Sequence, residues 1–346
     1  MNIELSWPRA IITTGARGLF RCILYEFILL ASAVIIRKIK LALWRKDKLI
    51  NNRIRLYPSY NPTMEIRDIR RKRVIFTFVS AVVLMLNIAG FLVYWRKDKI
   101  EFLDVGQGLG ACIQYKGKVY CYDGGSTDRK NVDEYILSPY FSYYGIESVD
   151  AWFISHEDAD HTSGIKGLLE DDGRGSIEIK EIIIPRVLEE NFSAITTFAE
   201  YKGTKVIYSK AGDIFTSEDG ISFTVLSPEE NFVSDDSNAC SLVILMQVAE
   251  TDVLFMGDAD VMAEEKVLSF MSEPIDILQV AHHGSANNTN SEYFLRTLNP
   301  RISVISCGFD NIYGHPHKET LEILNKMNTE IIRTDKSGAT LIWLDF

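Results

Sequence analysis

The residues best suited to chemistry lie in the segment 156–161, which reads HEDADH. Within six residues it offers two imidazoles and three carboxylates, directly after the apolar run AWFIS. Neutral imidazole nitrogens and carboxylate oxygens are the ligands that divalent ions such as Zn²⁺ and Mn²⁺ take from proteins. The alternatives are a solvated acidic loop or a calcium loop, but Ca²⁺ prefers an all-oxygen shell, which two histidines fit poorly. The segment therefore indicates a metal centre.

Three further segments place metal-binding side chains directly after predicted strands. Asp258 follows one apolar run, His282 and His283 follow the next, and His315 and His317 follow a third. A single histidine of this kind is more often an ordinary surface or core residue. Four such placements after successive strands, counting the segment 156–161, indicate one shared metal site.

The elements that must position these side chains are short β-branched runs interrupted by Gly and Asp. Beyond residue 99, predicted strands first dominate and then alternate with helices, which is typical of a layered α/β sandwich of sheets covered by helices. The predicted strands are 100–105, 111–115, 118–122, 151–155, 179–184, 205–209, 221–226, 241–248, 252–256, 275–281, 301–306 and 340–345. The predicted helices are 132–143, 263–270, 291–298 and 320–327. In a tight turn after strand 151–155, His156, Asp158 and Asp160 would point one way and His161 toward a second ion.

The charge of the chain changes sign near residue 99. Residues 1–99 carry 19 basic and 6 acidic side chains, whereas residues 100–346 carry 18 and 41, so the net charges are +13 and −23. Such asymmetry suggests a membrane or nucleic-acid partner for the basic part. A hydrophobic content of 47% argues against an intrinsically disordered chain. Five cysteines in 346 residues exclude a disulfide-dense mini-domain.

Residues 74–95 are the strongest candidate for a membrane span. They form 22 uncharged positions that end in Tyr94 and Trp95, where an interfacial aromatic belt belongs. At about 1.5 Å per residue they reach roughly 33 Å, which is enough to cross a hydrocarbon core. Residues 19–36 are interrupted by Arg21 and Glu26 and either cross the membrane or lie in its interface. The sequence thus predicts a basic region 1–73, a transmembrane helix 74–95 and a domain 100–346.

The basic residues predict how this span is oriented. Residues 37–73 contain 13 Lys and Arg, and only Arg96, Lys97 and Lys99 follow the span closely. The positive-inside tendency places residues 37–73 in the cytoplasm and the domain 100–346 on the extracytoplasmic side of the cell membrane. Contact with anionic lipid is a better role for the basic region than binding of nucleic acid.

The motifs taken together resemble a known family. HxDxDH, GDA and HHGS, in this order, are similar to the metallo-β-lactamase fold. FLDVGQG, YDGG, SHEDADH, NACSLVI, FMGDAD, VAHHGS and YGHPH together resemble the C-terminal domain of the ComEC competence family over residues 100–346. This resemblance implies an αββα sandwich, a role in DNA uptake, and a metal-dependent hydrolase that degrades the DNA strand that is not imported.

The resemblance also implies a set of ligands for two divalent ions. One ion would be held by His156 and Asp158 and the other by Asp160, His161 and His283, with Asp258 bridging both.

The assignment of the metal ligands leaves alternatives at two positions. Asn238 stands where many members of the fold have a histidine, so the first ion would have an oxygen-rich site that favours Mn²⁺ or Mg²⁺, with Zn²⁺ still open. Either His282 or His283 could be the ligand; His283 is favoured, with His282 packing beside it. Asp123 and Asp104 are candidates for orienting the imidazole N–H groups from outside the ligand set.

The residues assigned to catalysis are Asp160 and His315. Two ions would acidify a water molecule and clamp the phosphoryl oxygens. Asp160 would orient that water or take its proton. His315, or failing it His317 or Asn311, would protonate the leaving oxygen or stabilise charge on phosphorus.

Several features limit the choice of substrate. Leu109-Gly110 follows GQG where family members commonly have Asp, and Ser163-Gly164 replaces a frequent glycine pair. Family members with a DNA channel have many membrane helices, so this chain would need other competence or channel proteins to serve uptake. The −23 charge of residues 100–346 opposes DNA binding. A hydrolase of another small ester or cell-surface phosphodiester, and a non-catalytic anchored binding module, therefore stay as alternatives to a DNA nuclease.

Two cysteines, Cys112 and Cys121, lie on predicted adjacent strands. They could form a disulfide outside the cell or stay as buried free thiols, and the spacing does not choose between these states.

Overall fold

The computed structural model describes residues 11–12, 37–42, 44–57, 59, 61–95, 98–171 and 177–344, with the backbone alone for 11–12 and 87–95. It divides into two units, one of Thr14–Lys97 and one of Met1–Thr13 with Asp98–Phe346. The predicted membrane segment 19–36 lies outside the described residues.

In the unit Thr14–Lys97, the regular secondary structure among the described residues is helical. Residues 37–42 and 44–56 are helical, and helix α1 spans Thr63–Trp95. An ion pair between Lys72 and Asp68, one turn apart, lies on its basic first half. The predicted span 74–95 falls within α1. Among the described residues, no helix combines the length and the apolar character that a membrane crossing requires.

The second unit contains two large β-sheets and one small one. The strands are β1 (Ile11–Ile12), β2 (Lys99–Phe102), β3 (Ala111–Tyr115), β4 (Lys118–Tyr122), β5 (Ser148–Val149), β6 (Ala151–Phe153), β7 (Glu178–Ile179), β8 (Glu181–Pro185), β9 (Lys205–Ser209), β10 (Ile214–Thr216), β11 (Ile221–Ser227), β12 (Val243–Val248), β13 (Thr251–Phe255), β14 (Ile277–Gln279), β15 (Ile302–Ile305), β16 (Glu330–Arg333) and β17 (Thr340–Trp343). The first sheet has the order β1-β17-β2-β3-β4-β6-β8-β9, the second β10-β11-β12-β13-β14-β15-β16, and β5 pairs with β7.

The helices of this unit are short and follow strands. They are α2 (Ser138–Tyr144), α3 (Ala159–Glu170), α4 (Ser193–Lys202), α5 (Val261–Phe270), α6 (Glu292–Leu298), α7 (Lys318–Asn325) and α8 (Thr334–Ser337). A π-helical turn, Asp133–Leu137, runs directly into α2.

The core lies in three layers because strand side chains alternate between the two faces of a sheet. Between the sheets, Phe255 packs against Tyr122 and Phe102, with ring centroids 4.8 and 6.1 Å apart. On β8, Ile183 faces this central layer, whereas its neighbours Ile182 and Ile184 face the helices outside the first sheet. A third apolar layer covers the outer face of the second sheet. Helices therefore cover both sheets, and the α/β sandwich predicted from the sequence is confirmed.

The four cysteines that the structure describes, Cys112, Cys121, Cys240 and Cys307, are buried free thiols. Cys112 and Cys121 are direct partners across β3 and β4, with their sulfur atoms 3.3 Å apart.

Candidate metal centre

The predicted ligands converge because they follow strands that end at the same edge of each sheet. In the second sheet β13, β14 and β15 are parallel neighbours, so Asp258, His283 and His315, which follow them in turn, emerge side by side. In the first sheet β4 and β6 are parallel, and they deliver Asp123 and the segment 156–161. The centre thus lies where the ends of the two sheets meet.

The metal-binding motif is not the tight turn that the sequence suggested. Helix α3 begins at Ala159, so Asp160 and His161 lie in its first turn and Asp158 occupies its N-cap position. The side chains of Asp160 and His161 therefore face the same point. The sequence had predicted that Asp160 would point in the same direction as His156 and Asp158. The turn prediction was wrong because the helix begins inside the motif and continues through Gly164 and Gly167, two poor helix formers. Gly164 is needed for close packing, since a Cβ there would collide with the carbonyl oxygen of Gly124.

Four side chains form a compact group, which we call the inner cluster: Asp160, His161, Asp258 and His283. One potential ligand atom from each lies within 4.8 Å of all the others. Asp258 stands at the centre, with Oδ1 3.2 Å from His161 Nε2 and Oδ2 3.4 Å from His283 Nε2. His283 Nε2 is also 3.3 Å from Asp160 Oδ2.

Several of the atoms that face the middle of the inner cluster have no hydrogen-bond partner among the described residues. Within the described part of the chain these buried orphans include His161 Nε2, His283 Nε2 and Asp258 Oδ1, and His156 Nε2 is another. Leaving a buried polar atom unpaired costs about 1–3 kcal/mol, so several of them converging on one point indicate a missing ligand. Imidazole nitrogens and carboxylate oxygens in this arrangement fit a divalent cation.

The pKa values of the inner cluster also indicate a binding site for a divalent cation. Burial alone would raise the pKa of Asp160, but the imidazoles of His283 and His161 outweigh it and lower that pKa to about 2. Against the effect of burial, Asp258 and Asp160 raise the pKa of His283 to about 10, and Asp258 and Asp123 raise that of His161. Both imidazoles therefore bind protons more tightly than a free imidazole does, because carboxylates surround them. A divalent ion would replace those protons.

Outer hydrogen bonds fix the orientation of both cluster imidazoles. Asp123 Oδ2 lies 2.8 Å from His161 Nδ1, and His283 Nδ1 donates to the carbonyl oxygen of Ser306 at 2.8 Å. In each ring this leaves Nε2 facing the cluster, as metal-ligating histidines require. Asp104, the other carboxylate suggested for this task, has a different role: it accepts hydrogen bonds from Gly106 N–H and Arg129, both at 3.2 Å.

The remaining predicted ligands form a looser group, the open half: His156, Asp158 and Asn238. His156 is fully buried, with its ring centroid 4.2 Å from that of His161, and its Nε2 lies 3.6 Å from Asp158 Oδ2. This contact lowers the pKa of Asp158, although 47% of the Asp158 side chain is exposed. Asn238 lines the cleft beside them.

A cleft of about 340 Å³ opens onto both groups. It is lined by Gln107, Thr127, Asp158, Ala159, Asp160, Asn238, Asp258, His282, His283, Tyr313 and His315. His282 reaches only the rim, with Nε2 3.6 Å from Asp258 Oδ2 and its ring partly exposed.

His315, assigned to catalysis, lines the cleft as a neutral imidazole. Burial, together with His283 and His282 nearby, lowers the pKa of His315 to about 4. At neutral pH it can donate a hydrogen bond but carries no positive charge. The two substitutes named for it are engaged elsewhere: His317 Nδ1 accepts from Ala286 N–H at 3.0 Å, and the Asn311 side chain donates to the carbonyl of His315 at 2.6 Å.

Sequence reasoning missed Gln107, a buried residue of the cleft wall. Its Oε1 accepts from Gly308 N–H at 3.1 Å, which fixes the amide orientation, and Nε2 is left buried without a partner. The only sequence signal was its place in the FLDVGQG motif. Ser155, whose hydroxyl donates to Asp123 at 2.7 Å, was also missed.

These features define a class of protein. A family model described as the metallo-beta-lactamase superfamily matches residues 103–308. The chain belongs to the metallo-β-lactamase superfamily. The crystal structure of the metallo-β-lactamase fold protein YhfI from Bacillus subtilis covers 70% of this chain and 100% of its own, with a TM-score of 0.50 and 17% identity, so that likeness concerns the fold.

Three curated relatives bear competence or recombination names. ComE operon protein 3 of Bacillus subtilis is 30% identical over 260 residues, which is 70% of this chain and 32% of that protein. Recombination protein 2 of Haemophilus influenzae is 32% identical over 69% of this chain and 28% of its own, and competence protein ComA of Neisseria gonorrhoeae is 25% identical over 74% and 34%. The chain therefore spans about a third of the length of these relatives. Over that part, the resemblance to the ComEC family is confirmed.

Proposed function

We propose that this chain is a membrane-anchored, metal-dependent hydrolase that cleaves DNA phosphodiester bonds during DNA uptake. The observation that carries the proposal is the inner cluster, whose unpaired imidazole and carboxylate atoms converge on one point at the floor of an open cleft. The competence names of the relatives suggest DNA as the substrate.

Two divalent ions are the proposed cofactors. Asp160, His161, His283 and Asp258 would hold one ion, and His156 and Asp158, with Asp258 and Asn238, would hold the other. Bound there, such ions supply Lewis-acid chemistry, because they acidify water and neutralise charge on phosphoryl oxygens. The oxygen-rich open half favours Mn²⁺ or Mg²⁺, and the imidazole-rich inner cluster suits Zn²⁺ or Mn²⁺.

Asp160 has a second role in this proposal, and two further side chains, Gln107 and His315, act on the substrate. Asp160, ionised because its pKa is about 2, orients the attacking water and can receive its proton. The unpaired Nε2 of Gln107 donates a hydrogen bond to a non-bridging phosphoryl oxygen. His315, neutral because its pKa is about 4, donates an N–H to the leaving oxygen without supplying a positive charge.

The membrane anchor belongs to the same proposal and rests on sequence. Residues 74–95 carry no charge, and the side chains of Val74, Phe78 and Leu86 on α1 are more than half exposed. The Lys and Arg excess before this segment supports an extracytoplasmic position for the hydrolase domain. Other competence or channel proteins would be its partners.

The proposal is tested with the purified full chain loaded with Mn²⁺ or Zn²⁺. Single-stranded DNA, duplex DNA and bis(p-nitrophenyl) phosphate are the substrates. We expect metal-dependent cleavage of DNA that His161→Ala abolishes. Asp104→Asn, which changes a carboxylate paired with Arg129 outside the cleft, is the matched control and should keep activity. A chain that binds metal but cleaves no DNA would contradict the proposal.

A second function is favoured by charge. With 18 basic and 41 acidic residues, the domain 100–346 repels a polyanion, so a smaller phosphodiester or other ester could be the substrate. Hydrolysis of bis(p-nitrophenyl) phosphate without cleavage of DNA would favour this function. No turnover with any metal would favour a non-catalytic binding module.

A further inference from the structure

The loop after β15 is a rigid wall of the metal cleft. Its conformation is held from inside by Asn311, whose side chain donates to the carbonyl oxygens of Gly308 and His315 at 2.9 and 2.6 Å and accepts from His315 N–H at 2.9 Å. Gly314 N–H closes the turn on the Asn311 carbonyl at 3.1 Å. The loop is therefore built in one conformation without any partner.

This rigid loop turns large apolar side chains toward solvent. Phe309 is 82% exposed, Ile312 is 93% exposed and Tyr313 is 50% exposed. Scattered exposed apolar residues are ordinary, but three within five positions of an ordered loop form a patch that water solvates poorly. Such a patch indicates a surface that an apolar group covers during function.

The patch is continuous with the metal cleft. Tyr313 lines the cleft and stacks on His315, with ring centroids 5.8 Å apart and planes inclined by 21°. His315 in turn stacks on His283 of the inner cluster at 6.0 Å. A row of aromatic faces thus leads from the metal ligands to the exposed loop.

We propose that Phe309 and Tyr313 form a stacking platform for the unpaired bases of a single-stranded nucleic acid whose phosphodiester lies at the inner cluster. This inference rests on the proposed function and deepens it by naming single strands as the preferred substrate class. Aromatic side chains stack on any base, and each stacked base improves affinity by roughly 5- to 150-fold.

The charge of the domain supports stacking as the main source of affinity. Residues 100–346 carry a net charge of −23, so general attraction to phosphates is poor. Bases in a duplex are hidden in the stack, whereas those of a single strand are free to use the platform. A lipid surface is the other occupant of an exposed apolar loop, but residues 307–316 carry no Lys or Arg and include Asp310, which an anionic membrane would repel.

The test compares two proteins and two strands. The full chain and the Phe309→Ala/Tyr313→Ala variant, both loaded with Mn²⁺, are titrated against a short fluorescein-labelled DNA strand and an abasic strand of equal length. Both strands carry phosphorothioate linkages that resist hydrolysis, and binding is followed by anisotropy. We expect the variant to bind the normal strand at least about tenfold more weakly and the abasic strand equally well. Tyr201→Ala, which removes a 77% exposed tyrosine of α4 outside the cleft-lining set, is the matched control and should bind like the unsubstituted chain.

Three outcomes would overturn the proposal. They are an equal loss of affinity for both strands, no loss for either, and no measurable binding of the normal strand by the unsubstituted chain. Phosphatidylglycerol vesicles that compete with both strands alike, and less so with the variant, would assign the loop to a membrane and also overturn it. Because the phosphorothioate strands resist hydrolysis, the assay reports on the platform even if the chain cleaves no DNA, an outcome that would contradict the proposed function alone.

Discussion

The inner cluster and the open half differ in how completely the protein holds their ligands. In the inner cluster, three of the four side chains are almost wholly buried, and outer hydrogen bonds to Asp123 and Ser306 orient both imidazoles. In the open half, only His156 is buried, and the Asp158 side chain is 47% exposed. Preorganised ligands lose little entropy on binding, so the inner cluster should fill first and tightly and the open half later and weakly.

The largest effect is expected from Asp258→Asn. This substitution removes the charge that both cluster imidazoles face and the carboxylate proposed to bridge two ions. We expect kcat/KM for phosphodiester hydrolysis to fall at least about 10³-fold, on the order of 4 kcal/mol of transition-state stabilisation. Asp260→Asn is the matched control from the same motif: Asp260 caps α5 through Met262 N–H, which Asn also does, so activity and thermal stability should persist. Equal activity of the two variants would remove Asp258 from the site.

His156→Ala should distinguish the contribution of the open half from that of the inner cluster. It removes the buried ligand of the open half and leaves the inner cluster intact, so the metal content measured by mass spectrometry should fall from two ions to one per chain. We expect a loss of activity of roughly 10- to 100-fold, smaller than that of Asp258→Asn. Retention of two ions would show that the open half is not the second site.

Asp123→Asn tests the outer hydrogen bond to His161. Removing the charge of Asp123 loosens the ring orientation and lowers the basicity of Nε2, so metal affinity should fall by roughly 10- to 100-fold. Competition with a fluorescent chelator measures this loss. Affinity equal to that of the unsubstituted chain would mean that Asp123 serves folding alone.

The inner cluster should release protons when it binds a cation. The pKa of His283 is raised to about 10, so this ring holds a proton at pH 7, and the pKa of His161 is raised above its usual value by Asp258 and Asp123. A metal ion binds only the neutral rings, so affinity should rise with pH toward about 10, while Asp160, with a pKa of about 2, stays charged throughout. Calorimetry in buffers of different ionisation enthalpy should show protons released on metal binding near pH 7. A pH-independent affinity would contradict this charge balance.

The smallest effect is expected from Asp158→His. An added imidazole in the open half makes that site softer, so the preference for Zn²⁺ over Mn²⁺ should rise by about tenfold. The measurement is competition between the two ions at the second site. An unchanged preference would mean that Asp158 does not contact the ion.

The sequence predicted which residues form the inner cluster better than it predicted the helix that carries two of them. Strands 111–115, 118–122 and 205–209 were predicted with their observed bounds, because β-branched alternation is a local signal. Helix α3 was missed because its glycines serve close packing: a Cβ at Gly167 would collide with the Asp133 carboxylate. Packing against a distant segment leaves no local trace in the sequence.

The chemistry of single side chains was also only partly predictable. That Asp123 and not Asp104 orients His161 depends on which strand ends meet, and that His315 is neutral depends on two other imidazoles lying nearby. Gln107 became a candidate only when the structure fixed its amide with Gly308. These properties arise from contacts between residues far apart in the chain.

The most direct test of the metal centre is anomalous diffraction from crystals of the full chain grown with Mn²⁺. We predict the strongest anomalous peak between Asp160, His161, Asp258 and His283, and a weaker peak between His156 and Asp158. Well-diffracting crystals with no peak at the inner cluster, or with the stronger peak at the open half, would contradict this account.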